Sequence, residues 1–231
     1  MIADTSAIMA IIRTNPPMRL MMLFIRQRAV PASVIGLLLV LVVVYAVDGW
    51  VSEPNKEVRI VIMSLVGPAA IGSIVGIAAR SPSLELEQAS AFPLHWPRAF
   101  HLVALFALGT ISTSAIVATW PQRIVELDQV WFWIRNLVAM TGLALILARI
   151  VGSLLSWILP CLVALTSLTL LSTRLDDLST PKNEMFDVPW WNVALQDNGS
   201  MQSWFIALIA FGIGLTSIAV LGPSSRERGE A

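Results

Sequence analysis

The 231-residue chain is 56% hydrophobic and only 13% charged, and its formal net charge at pH 7 is zero. Soluble domains carry about a quarter charged residues, so this composition predicts a membrane protein and excludes a large globular catalytic domain. The balanced charge offers no basic surface for nucleic acid, and we expect no nucleic-acid partner. At about 20 residues per crossing, the length fits an all-α membrane protein with six transmembrane helices.

Residues 1–28 are predicted to form an amphipathic segment that lies along the cytoplasmic face of the membrane. In the second half of this segment, the longest uncharged run, Leu20–Ile25, is far too short to cross a bilayer but suits an interfacial helix. An extension of the first span is the alternative. The arginines of the segment are Arg13, Arg19, Arg26 and Arg28.

A six-helix transmembrane domain is predicted over residues 29–222, followed by a cytoplasmic tail at 223–231. The first apolar run, Ala29–Val47, has 19 uncharged residues and is longer than the apolar core of a signal peptide, so we expect it to be retained. The predicted spans are about 30–47, 60–79, 100–119, 130–148, 153–172 and 204–221.

Two prolines and two glycines within the spans are candidate mechanical sites. Pro68 in the second span and Pro160 in the fifth are predicted to kink their helices and to act as hinges. Gly72 and Gly76 leave one helix face thin enough for close packing against a neighbour. A substrate-facing role for these glycines is the alternative.

The fourth span contains a single charge, Arg135, shortly after the aromatic run Trp131-Phe132-Trp133. An arginine this close to an interfacial aromatic belt can extend to the outer headgroups. The alternative is a functional charge inside a translocation path.

The one cysteine, Cys161, is expected to be a buried small hydrophobe.

Orientation is predicted from the distribution of lysine and arginine. With both termini in the cytoplasm, nine of the fifteen Lys and Arg residues lie inside and six lie outside. Four of the nine precede the first span. The positive-inside rule therefore favours an N-in, C-in topology.

The sequence offers no recognised means of binding a nucleotide, a cofactor or a metal. It contains no G-x-x-x-x-G-K-[ST] motif and no H-E-x-x-H motif. Its two histidines, His95 and His101, are six residues apart, which is not a helical ligand spacing, and we expect them to be interfacial anchors. No cofactor is expected, and the chain is predicted not to be an enzyme.

The longest polar interruption on the predicted cytoplasmic side is Arg80–His101, between spans 2 and 3. It begins with a short acidic helical pattern, Ser83-Leu84-Glu85-Leu86-Glu87-Gln88-Ala89-Ser90, and returns to the membrane through Pro93-Leu94 and Pro97-Arg98. With the amphipathic N-terminal segment and the six spans, this arrangement resembles the ABC-2-type permeases. These proteins are half-size membrane subunits of bacterial ATP-driven exporters. Family members often carry Gly-Thr where this chain has Ala89-Ser90.

The resemblance implies a mechanical function in the bacterial plasma (inner) membrane. A separate ABC ATPase subunit would push on the segment 81–92, and a second copy of the chain or a related membrane subunit would complete the path across the lipid bilayer. Glu85 and Glu87 would form salt bridges with the ATPase. The residues assigned to this coupling helix are Ser83, Glu85, Leu86, Glu87 and Ser90.

Two other classes of function fit parts of the same pattern. A non-transporting accessory, immunity or scaffold subunit would explain the low polarity inside the spans. A membrane enzyme or proton-coupled carrier would need paired carboxylates or a chain of acidic and histidine side chains inside the spans, and the sequence shows neither there.

Overall fold

The computed structural model describes residues 30–50, 56–80, 95–118, 127–177, 194–195 and 200–222. Within these ranges the protein consists of helices and contains no strand, as the composition predicts. A 3-10 turn, Ser153–Leu155, precedes the fifth of six α-helices. The α-helices are α1 (Val30–Trp50), α2 (Lys56–Ala78), α3 (His95–Ala118), α4 (Leu127–Ile150), α5 (Ile158–Asp177) and α6 (Met201–Leu221).

Four stretches of the described residues are helical, long and apolar enough to cross a bilayer, which makes this a membrane-embedded protein. They are His95–Ala115, Val130–Ile150, Ser153–Leu170 and Met201–Leu221. Within α1 and α2 the qualifying apolar stretches are shorter, at Pro31–Val43 and Ser64–Ala78. Each predicted span coincides with a helix.

The central helix of the bundle is α4. Its apolar stretch is 61% buried, whereas the other three long apolar stretches are 22–28% buried. The main apolar core lies where α4 meets α1, α2, α3 and α6. It contains Leu37, Ile71, Val75, Ala78, Ala79, Leu102, Leu105, Leu137, Leu145, Ala148 and Ile218.

Helices α2 and α4 run in the same direction. The side chain of Asn136 in α4 contacts the carbonyl of Ser64 in α2. One to two turns further along both helices, Gly72 lies against the backbone of Met140. Because the residue numbers rise together in both helices, this pair is parallel.

Helix α6 is also parallel to α4, and α3 is antiparallel to α6. Arg135 contacts Ser203 near the start of α6, and Leu145 lies against Gly214 further along. By contrast, Arg98 at the start of α3 lies beside Gly222 at the end of α6. The helices α2, α4 and α6 therefore all begin at one end of the bundle, which we call the polar end, and finish at the opposite end.

Glycines allow the close approach of these parallel helices. A Cβ atom on Gly72 would lie 2.9 Å from backbone atoms of α4, closer than real Cβ atoms come. A Cβ atom on Gly142 would meet the backbone of α6 at Phe211, and one on Gly214 would lie 2.8 Å from the Gly142 carbonyl oxygen. Backbone contact of this kind is a usual basis of helix association in membranes.

The connection between α4 and α5 breaks the long apolar stretch where the sequence predicts a break. Gly152 has a φ of 124°, which side chains of L-residues rarely adopt, and the 3-10 turn follows it directly. Pro160 lies in the first turn of α5. It therefore does not interrupt the interior of a helix, although it lies within the apolar stretch Ser153–Leu170, and the change of direction comes from Gly152 and the turn before the proline.

Tryptophans mark both ends of the bundle. Trp131 in α4 and Trp204 in α6 lie at the polar end with their rings 6.2 Å apart and nearly perpendicular. Trp96 and Trp157 are exposed at the opposite end. The 19-residue step from Trp131 to Ile150 along α4 rises about 28 Å, close to the thickness of the bilayer's hydrocarbon core. The spacing fits two interfacial aromatic belts.

Candidate functional site

The most polar region inside the bundle is a buried cluster near the polar end. It consists of the side chains of Arg135 and Asn136 in α4, the hydroxyl of Ser203 in α6, and the backbone carbonyls of Ser64 in α2 and Ala194. Arg135, Asn136, Ser64 and Ser203 each have 0% of their surface exposed. We call this group the polar cluster.

The guanidinium of Arg135 is held from three sides. Its Nη1 donates to the Ser203 Oγ at 3.0 Å, and its Nη2 donates to the Asn136 Oδ1 at 3.5 Å. The guanidinium carbon also lies 4.8 Å from the centre of the Phe132 ring. A buried charge is costly unless it is compensated, and these contacts supply part of the compensation.

The burial of Arg135 corrects one sequence-based expectation. An arginine that reached the outer headgroups would expose its guanidinium, yet this side chain is completely enclosed. Four residues, or about one helical turn, separate Arg135 from Trp131. The reason for burial is tertiary: Ser203 and Asn136 offer hydrogen-bond acceptors inside the bundle.

The start of α6 orients Ser203 toward Arg135. Ser200 is the N-cap of α6, and its Oγ accepts a hydrogen bond from the Ser203 backbone N–H at 3.3 Å. In return, the Ser203 hydroxyl donates to the Ser200 carbonyl at 2.7 Å. Because the Ser203 proton is used in that bond, its oxygen is available to accept from Arg135.

Asn136 links two other elements through its amide nitrogen. Its Nδ2 donates to the Ser64 carbonyl at 3.0 Å and to the Ala194 carbonyl at 3.2 Å. Ser64 lies four residues before Pro68, which has no backbone N–H, so the regular helical bond to the Ser64 carbonyl is absent. The Asn136 side chain takes the place of that missing donor.

A narrow crevice lies beside the polar cluster, between α2, α3 and α4. Its volume is about that of one water molecule, and its lining includes Pro68, Thr110, Thr113 and Trp133. The Thr110 and Thr113 hydroxyls donate to carbonyls of their own helix, four residues earlier. The crevice is too small to be a path for a hydrophilic cargo.

The predicted mechanical residues fall in different places. Pro68 lies inside α2, and Gly72 and Gly76 both face α4. A Cβ on Gly76 would lie 2.8 Å from the Ala144 Cβ and 2.7 Å from the Ser156 Oγ. Outside the described residues are the N-terminal segment 1–28, the tail 223–231 and the predicted coupling residues Ser83, Glu85, Leu86, Glu87 and Ser90.

The cysteine and the two histidines can be compared with what the sequence predicts for them. Cys161 is exposed on α5, so the prediction that it is buried is wrong. His95 is exposed beside the Trp96 ring, whereas His101 is buried in the bundle. In the part of the chain that the structure describes, no group of three or more His, Cys, Asp or Glu residues could hold a metal ion.

Asn136 is the functional candidate that the sequence interpretation missed. Two signals were present: an asparagine next to the single charge within the predicted spans, and a proline whose missing N–H leaves a carbonyl four residues earlier in need of a donor.

Comparison with known proteins adds no relative to this description. The chain matches no protein-family model, no curated protein and no solved structure. Functional conclusions therefore depend on the residues and their geometry.

Proposed function

We propose that this protein is the transmembrane subunit of an ATP-driven exporter of the ABC-2 type and forms half of its translocation path. In this proposal six helices cross the bacterial inner membrane, both termini are cytoplasmic, and residues 1–28 lie along the cytoplasmic leaflet. A separate ATPase hydrolyses ATP and pushes on the segment 81–92.

The observation that carries the proposal is the direction of the helices. The parallel arrangement of α2, α4 and α6, with α3 running the other way, is the arrangement of a chain that crosses back and forth. Only five residues connect α1 to α2, so α1 ends where α2 begins. This geometry supports six crossings.

The position of the segment 81–94 follows from the same geometry. It connects the end of α2 to the start of α3, so it adjoins the end of the bundle opposite the polar end. With six crossings, nine of the fifteen Lys and Arg residues adjoin that end. The positive-inside rule assigns it to the cytoplasm, where an ATPase subunit could reach the acidic pair Glu85 and Glu87.

The start of α3 offers a route from this segment into the bundle. Arg98, four residues beyond the segment, lies beside Gly222. A Cβ atom added to Gly222 would be 3.2 Å from the Nη1 of Arg98. Further along, Phe106 of α3 packs against Phe211 of α6 with ring centres 4.8 Å apart. A push on the segment would therefore be passed to α6.

The crevice beside Pro68 in a single copy of the chain holds about one water molecule, which is too little for a cargo. A path that lies between two subunits avoids this difficulty, because it does not pass through the crevice. We therefore propose a homodimer or a pair with a related membrane subunit as the working unit.

The decisive test is purification of the native complex in mild detergent, followed by identification of the proteins that accompany it. An ABC ATPase subunit should co-purify, and the double substitution Glu85→Lys with Glu87→Lys should release it while the membrane subunit stays folded. The matched control is Glu53→Lys with Glu57→Lys, which reverses two charges at the other end of the bundle and should leave the ATPase bound. Purification without any ATPase would contradict the proposal.

A non-transporting accessory, immunity or scaffold subunit is the second candidate. The narrow crevice favours it, because a subunit that only packs against a larger complex needs no path. This candidate predicts co-purification with a membrane complex that lacks an ATPase, and no effect of the Glu85 and Glu87 substitutions.

A further inference from the structure

Asn136 is the one described side chain whose amide joins two backbone carbonyls from separate parts of the chain. One carbonyl, of Ser64, belongs to the proline-containing helix α2, at an Nδ2 to O distance of 3.0 Å. The other, of Ala194, belongs to the connection that leads into α6, at 3.2 Å. An amide nitrogen carries two hydrogens, so each carbonyl can receive one.

The bond to Ser64 is available because of Pro68. In a regular helix the N–H of residue 68 would bond to the carbonyl of residue 64, but proline has no N–H. Ser64 is fully buried, and no water from the membrane side could replace the missing donor. Asn136 provides a donor to this carbonyl from another helix.

The bond to Ala194 attaches the connection before α6 to the bundle. Ala194 is 2% exposed and packs in an apolar cluster with Leu65, Ala69, Met140 and Ala164. Leu195 beside it is partly buried against the same cluster. This short turn therefore lies directly over the part of α2 that contains the proline.

The geometry points to Asn136 as a latch between the proline-containing turn of α2 and the connection before α6. The latch has two separable halves, because each amide hydrogen serves a different carbonyl. Loss of the Ala194 bond leaves the Ser64 carbonyl paired, and loss of the Ser64 bond leaves the turn at residues 194–195 attached to α4. This inference does not depend on the transport proposal, since it concerns how two parts of one chain are joined.

The test uses the full-length protein in mild detergent and two cysteine reporters. Leu195→Cys in a Cys161→Ser background reports on the connection, and native Cys161, exposed on α5, reports on the rest of the bundle. The reaction rate with N-ethylmaleimide is followed by intact mass. Asn136→Leu, which has a similar shape but no donor, should raise the rate at position 195 at least fivefold and leave the rate at Cys161 within twofold.

Pro68→Ala separates the two halves of the latch. Alanine restores the backbone N–H, so the Ser64 carbonyl stays paired even without Asn136. The loss of melting temperature caused by Asn136→Leu should therefore be smaller in the Pro68→Ala background, while the rate at position 195 should still rise. If Asn136→Leu yields no folded protein, Asn136→Gln, which displaces the amide by one methylene, carries the same test.

Three results would overturn the latch. An unchanged rate at position 195 would mean that Asn136 does not hold the connection. Equal acceleration at position 195 and at Cys161 would indicate general loosening of the fold. An undiminished melting-temperature loss in the Pro68→Ala background would mean that the Ser64 carbonyl does not need Asn136.

Discussion

The two halves of α4 are held in the bundle by different kinds of contact. Toward the polar end, Arg135 and Asn136 form hydrogen bonds to α2, to α6 and to the connection before α6. From Met140 onward, α4 contacts its neighbours through apolar side chains and through close backbone contacts at Gly72 and Gly142. Hydrogen bonds can break and form again with a change of partner, whereas backbone contact at glycine tolerates no added atom. The half of α4 toward the polar end therefore has adjustable contacts, and the half from Met140 onward has fixed contacts.

The largest effect is expected at Gly142. A Cβ atom there would lie 2.6 Å from the Ala210 carbonyl carbon in α6 and closer still to the Phe211 nitrogen, so Gly142→Val should push α6 away and cost about 3 kcal/mol. Fluorescence-detected size-exclusion chromatography should show loss of the monodisperse protein. Gly212→Val is the matched control on α6, because a Cβ there meets nothing within 4 Å. If Gly142→Val were as stable as Gly212→Val, close backbone contact between α4 and α6 at Gly142 would be contradicted.

A somewhat smaller effect is expected at Arg135. Arg135→Ala removes the bond to Ser203 and leaves a cavity beside Phe132, and it should destabilise the protein by about 2–3 kcal/mol. Thermal unfolding in detergent, monitored by tryptophan fluorescence, measures this. The control is Arg80→Ala, which removes an exposed arginine and should change stability by less than about 0.5 kcal/mol. Equal stability of the two variants would show that the buried guanidinium contributes nothing.

The substitution Gly72→Ala should cost about 1–2 kcal/mol, because its Cβ would lie 2.9 Å from the backbone of α4 and α2 would have to move. The gain in helix propensity offsets part of this cost. Gly36→Ala is the control: its nearest neighbour, the Ile74 Cδ1, is at an ordinary 3.5 Å, so stability should be unchanged or slightly higher. The comparison is made by melting temperature, and a neutral Gly72→Ala would contradict backbone contact between α2 and α4.

The smallest effect is expected from the aromatic pair at the polar end. Trp204→Leu removes the perpendicular contact with Trp131 and should cost about 0.5–1.5 kcal/mol. In a double-mutant cycle, the same substitution should cost less in a Trp131→Leu background. Full additivity of the two substitutions would show that the rings do not interact.

The sequence predicts the helices well because their signal is local. Long uncharged stretches separated by polar or glycine-containing turns place all six helices, and the break at Gly152 is visible without any tertiary information. The glycine pair in α2 is likewise visible as a thin helix face. The structure adds that this face lies against α4.

The candidate site is less predictable because its contacts join residues far apart in the chain. Arg135 and Ser203 are 68 residues apart, and Asn136 and Ser64 are 72 apart. No local pattern indicates such pairing, so the position of Arg135 near the tryptophans suggested exposure instead. Pro160 was predicted to kink the fifth span, but it lies in the first turn of α5, where proline is well accommodated.

The shared direction of α2, α4 and α6 also has an electrostatic consequence. Every helix carries a dipole equivalent to roughly half a positive charge at its N-terminus, and three neighbouring helices place their positive ends together, with Arg135 among them. The chain segments that adjoin this end carry ten of its fifteen acidic residues: Asp48, Glu53, Glu57, Glu126, Asp128, Asp176, Asp177, Glu184, Asp187 and Asp197. The uneven distribution of carboxylates thus places negative charge at the positive ends of these three helices, where the oppositely directed α3 also places its negative end.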